Sequence, residues 1–140
     1  MSTVANLRAA RAAIAIQSKW TTVTLRERNG SMCALGAVAT VLSMPIKDWR
    51  GQDNEEVYER LSTTRELFYL SRAARRLRGD RMPLDGDPPT QIVYAVNDST
   101  WPFAPDQHPD IPVRQLAPAE CHARVIRMFD EAIKEALLGS

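Results

Sequence analysis

The stretch from Met32 to Leu42 is apolar on every side except at Thr40, and no other feature constrains the fold as strongly. A helix that is apolar all round must be buried on all its faces. A span across a bilayer takes roughly 20 such residues, so this shorter run is expected to be a central core helix on which the other helices pack. Gly36 and the alanines beside it let neighbouring backbones come close, while Leu35, Val38, Val41 and Leu42 supply apolar area. Gly36 is therefore expected to face a neighbouring helix at short range.

A core of that kind needs enough chain around it. At 140 residues the protein is expected to form a single domain over 1–140, burying roughly 68–70% of the surface its unfolded chain exposes. Eighteen basic against seventeen acidic residues leave a net charge of +1, which gives no overall field to favour nucleic acid or an anionic membrane. Two cysteines, Cys33 and Cys121, are too few for a disulfide framework, and Cys33 lies in the most apolar segment. The expectation is a reducing, cytoplasmic setting with no membrane association. Arg8, Arg11 and Lys19 without an acid superficially suggest a targeting peptide, but no uninterrupted apolar region or secretory cleavage pattern accompanies them. This segment reads as the first helix.

The alanine-rich run from Thr3 to about Ser18 has high helix propensity, with Leu7, Ala10 and Ile14 on one face and Arg8 and Arg11 towards solvent. Val23 and Leu25 alternate with Thr22, Thr24 and Arg26, a short strand signal. Asn29-Gly30 marks a turn, and Ser31 is the expected cap of the central helix. Pro45 stops that helix. Glu55-Glu56 opens a short helix carrying Val57, Tyr58 and Leu61. Thr63 with Glu66 matches a capping box ahead of a helix whose inner stripe is Leu67, Leu70, Ala74 and Leu77, ended by Gly79. Ile92 to Val96 reads as a small strand or an extended pass across the core, closed by Asn97-Asp98. The five prolines of the stretch from Trp101 to Pro118, the last included, favour extended conformations. A last helix starts at Pro118, with Val125, Phe129, Ala132 and Ala136 inward.

Trp20, then Cys33-Ala34-Leu35-Gly36-Ala37, then Asn97-Asp98, then Ala123-Arg124-Val125 with Asp130 and Ala132-Ile133, form a pattern covering most of the chain. It resembles an uncharacterised domain family of high-GC Gram-positive bacteria and their phages. The resemblance implies a small, mainly helical domain and brings no established activity. The proline-rich insert at about 99–117 departs from the family pattern, which has a short turn there.

Three kinds of chemistry are open to the residues. Cys33 near a helix N-terminus could be activated by the partial positive charge there, with His108 or His122 as base and Asn97 or Asp98 as orienter. The alternative is a packed thiol, which is favoured. Cys33, His108, Cys121 and His122 match no zinc spacing, so no metal or other cofactor is expected. Arg72, Arg75, Arg76, Arg78 and Arg81 could pair with phosphates, although they lack a readout motif and also suit a solvated helix C-terminus. Asn97-Asp98 reads more readily as a turn or cap pair. Trp101, Phe103 and His108, in the insert, are candidates for docking a protein partner or for lidding the core.

The fold expected is a mainly α domain of four to five helices around a buried central helix, with a minor extended or hairpin element. The function expected is non-catalytic protein binding, as a phage-encoded or accessory factor. A cysteine-dependent hydrolase or transferase using Cys33 stands as the first alternative. Nucleic-acid binding through Arg72 to Arg81 stands as the second.

Overall fold

The computed structural model describes residues 2–22, 24–47, 54–78, 88–97 and 117–139. These residues are mainly helical. The elements are α1 (Thr3–Ala13), a 3-10 turn (Gln17–Lys19), α2 (Ala34–Val41), α3 (Glu55–Ser62), α4 (Arg65–Arg78), α5 (Pro89–Asn97) and α6 (Pro118–Leu138).

At 21 residues, α6 runs about 31 Å by the usual helical rise, and it packs against α1, α4 and α5. It is antiparallel to α4: Tyr69 lies beside Gly139, Arg72 and Arg76 reach Glu135, and Arg124 donates to the Leu77 carbonyl at 2.7 Å. It is antiparallel to α1 as well, through the Arg11–Asp130 ion pair at 2.6 Å and the contact of His122 with Ile14. The inner faces are the expected ones. Leu7, Ala10, Ile14, Leu67, Leu70, Ala74, Val125, Phe129, Ala132 and Ala136 are all buried in one apolar cluster.

The apolar run does form a helix whose residues from Ala34 to Ala39 are buried. Its surroundings differ from the expectation. It packs on α1, α5 and α3, whereas α4 packs chiefly on α5 and α6, and α6 chiefly on α4 and α1. Its remaining side is covered by the irregular segment 20–33. A Cβ on Gly36 would sit 1.8 Å from the Leu25 carbonyl oxygen, so the close neighbour of Gly36 is a loop backbone and not a helix. The same oxygen accepts the Cys33 N–H at 3.2 Å. Only a residue without a side chain lets that strap lie flat on the helix.

No strand forms from 22 to 26 among the described residues. Isolated bridges join Trp20 and Arg26 to Met32, and that is the extent of the extended element. The segment instead spends its amides on a turn at Gly30, where φ is +92°, and on bonds such as Thr21 N–H to the Met32 carbonyl at 3.0 Å. Ser31 does not cap α2. Its N–H and hydroxyl both turn back to the Asn29 side chain, at 2.9 and 2.7 Å. α1 ends at Ala13, short of the expected Ser18. The expected capping box does not form: Thr64 Oγ1, not Thr63, accepts the Leu67 N–H at 3.2 Å as a simple cap, and Glu66 turns inward to accept from the Asn6 amide at 3.2 Å. Finally, Ile92 to Val96 is part of helix α5, neither a strand nor an extended pass.

Candidate functional site

The residues with chemical potential converge where α5 and α6 meet the start of α2, and each of them is engaged with a helix end. Asn97, the last residue of α5, is 1% exposed. Its Oδ1 accepts the Trp20 indole N–H at 2.8 Å and the Ala34 backbone N–H at 2.9 Å, while its Nδ2 donates to the Thr21 carbonyl at 3.2 Å. Ala34 is the first residue of α2, so Asn97 satisfies from a distant helix one of the four amides that every helix N-terminus leaves open. A second is taken by Cys33, the local cap, whose sulfur accepts the Gly36 N–H at 3.3 Å.

Two further residues serve helix C-termini. The Cys121 thiol donates to the Asn97 carbonyl at 3.2 Å, at the end of α5. The His122 Nε2 lies 2.8 Å from the carbonyl of Ile14, the cap residue of α1. A carbonyl only accepts, so Nε2 carries the proton in this contact. Trp20 ties the groups together. Besides donating to Asn97, its ring lies 5.4 Å from that of His122, centroid to centroid.

Cys33, Asn97 and His122, the three described members of the expected hydrolytic set, therefore fall in one neighbourhood, bridged by Trp20. Polar atoms of all three are turned to helix termini: the Cys33 sulfur to an amide of α2, Asn97 Oδ1 to another, and His122 Nε2 to the carbonyl that ends α1. Cys33 is 5% exposed. Asp98, Trp101, Phe103, His108 and Arg81 lie outside the described residues, as does the insert up to residue 116. Among the described residues, no group of three or more His, Cys, Asp or Glu is placed to hold a metal ion.

The arginines of α4 form a separate region. Arg72 and Arg76 both engage Glu135, Arg76 at 2.9 Å, and the Arg72 guanidinium lies 5.5 Å from the Phe68 ring centre. Partial burial pushes the Glu135 carboxyl up, and the combined hydrogen bonds and charges of Arg72 and Arg76 outweigh this and hold it below its ordinary value. The outward face also includes Arg65 and Phe68, which lie outside the arginine cluster expected from the sequence. Their spacing with Arg72 and Arg76, complementary to the buried stripe Leu67, Leu70, Ala74, was the available signal.

A shallow open cleft of about 470 Å³ between α3 and α5 is bordered by Glu55, Tyr58, Glu59, Ser62 and Thr90. The Ser62 hydroxyl there donates to the Tyr58 carbonyl at 3.0 Å and lies 3.4 Å from the Thr90 hydroxyl. No described helix is long and apolar enough to cross a membrane.

Residues 1–135 match a family described as a family of unknown function, DUF6197. No curated protein matches the chain, and no solved structure does.

Proposed function

The chain belongs to this family of unknown function, and from that premise we propose that it is a non-catalytic protein-binding domain, a phage-encoded or accessory factor acting in the cytoplasm on a host or self partner. One observation carries the reading. The side chains that could do chemistry, Cys33, Asn97, Cys121 and His122, are buried and hold the ends of α1, α2 and α5. The pattern Trp20, Cys33 to Ala37 and Asn97 is then a recipe for joining helices. Buried polar networks of this kind, once satisfied, help to specify a unique core. Recognition is left to the exterior.

Photo-crosslinking of the full chain in the cells that produce it tests the reading. A discrete, saturable crosslinked protein supports it, with slow alkylation of Cys33 by iodoacetamide in the folded state. Rapid labelling of Cys33 would favour the hydrolase or transferase alternative. Salt-dependent retention on DNA without a protein adduct would favour the nucleic-acid alternative.

A further inference from the structure

The outward face of α4 has an unusual make-up. Arg65, Phe68, Arg72 and Arg76 follow one another at helical spacing and are all exposed, so they lie along one side of the helix. The helix has a single acid, Glu66, and it is turned into the core. Phe68 is 53% exposed, its ring set edge-on to Tyr69 at 5.2 Å and under the Arg72 guanidinium. Leu138, one turn beyond Glu135 on the antiparallel α6, is 81% exposed. A helix face with three cations and an aromatic ring, with an exposed aliphatic side chain next in sequence to the Gly139 that lies beside Tyr69, matches the composition of binding hot spots, in which aromatics and arginine are enriched.

Resting on the protein-binding reading above, we propose that this face docks an acidic segment of a protein partner, with partner carboxylates on Arg65, Arg72 and Arg76 and a partner apolar side chain on Phe68 and Leu138. Charge complementarity argues for that occupant. Glu135 already shows what the arginines accept: one carboxylate joins Arg72 and Arg76. Their side chains are nonetheless 53% and 48% exposed, and a guanidinium has five donors in a fork that suits carboxylates. The surface therefore keeps donors beyond those Glu135 uses. Glu135 lowers the pull of these cations on every anion alike; the exposed aliphatic Leu138, which offers a base no stacking partner, is what favours a protein segment over a nucleic acid.

The probes are a synthetic peptide of glutamate pairs separated by leucines, the same peptide with lysine for glutamate, and a single-stranded and a duplex DNA oligonucleotide. Each is titrated into the isotope-labelled full chain and followed by amide chemical shifts. The acidic peptide is expected to move the signals of Arg65 to Arg76 and the end of α6, and the lysine peptide to leave them in place. Arg65→Glu and Phe68→Ser should each weaken binding about tenfold without lowering the melting temperature. No shift at millimolar acidic peptide, shifts confined to another face, or equal binding of the lysine peptide would overturn the proposal. A cellular protein adduct that survives Phe68→Ser would overturn this assignment and leave the protein-binding reading standing. Tighter binding of DNA at these residues, with no protein adduct, would remove both.

Discussion

The indole nitrogen of Trp20 stands 2.8 Å from the side-chain oxygen of Asn97, and that same oxygen accepts the first amide of α2 from the other side. One carbonyl group thus joins the strap over α2, the helix it covers and the end of α5. Replacing Asn97 by alanine strands two buried donors, each worth about 1–3 kcal/mol when left unpaired. Asn97→Ala is expected to cost about 2–6 kcal/mol, read as a lower urea midpoint at unchanged slope. Asn97→Asp keeps the acceptor, and measured in acid, where the buried carboxyl is protonated and adds no uncompensated charge, its loss should be smaller. Equal losses in the two variants would show that the acceptor is not what matters.

Gly36→Ala tests the close approach to Leu25. Alanine gains about 1 kcal/mol of helix propensity over glycine, but its Cβ would meet the Leu25 carbonyl oxygen at 1.8 Å, which forces the strap away from α2. A net destabilisation of roughly 1–3 kcal/mol, the usual range for overpacking, is expected in thermal unfolding. A stabilised variant would mean that the strap moves freely.

Substitutions at Cys33 separate capping from simple packing. Its sulfur accepts the Gly36 amide, so Cys33→Ser supplies a hydroxyl that already has its partner. The unpartnered-hydroxyl penalty that burial alone would suggest does not apply. Cys33→Ser should therefore be more stable than Cys33→Ala, by about 1 kcal/mol as for other N-caps. The reverse order in denaturant melts would assign Cys33 to packing only.

Acid should weaken the α4–α6 junction. Glu135 has its pKa lowered in the fold by Arg72 and Arg76, against the opposing effect of burial. A depressed carboxylate contributes stability that is present above its unfolded pKa and lost as the pH falls through its folded pKa. The melting temperature of the wild type should exceed that of Glu135→Gln at neutral pH, with the gap closing below the ordinary carboxylate value of 4.5. A gap independent of pH would refute the linkage.

The sequence by itself determined the long helices α1, α4 and α6 and the buried helix α2. Leu7, Ala10 and Ile14, or Leu67, Leu70 and Ala74, repeat at helical spacing over several turns, and no strand can bury such a face. It also indicated that Gly36 needs a close neighbour. Tertiary structure decided the rest. α5 was hidden because the ends of its buried face are Thr90 and Asn97, polar residues that hydropathy does not count, leaving the β-branched Ile92 and Val93 to suggest a strand. Segment 20–33 gave up its alternation because Cys33 N–H and Gly36 take Leu25 as their neighbour, a contact between segments that no local pattern encodes. Cys33, Asn97 and His122 could be named from their chemistry, yet whether they serve a reaction or a helix end depends on which groups the packing places within 3–4 Å. Hydrogen-bond partners far apart along the chain are set by the assembled fold, and periodicity carries no information about them.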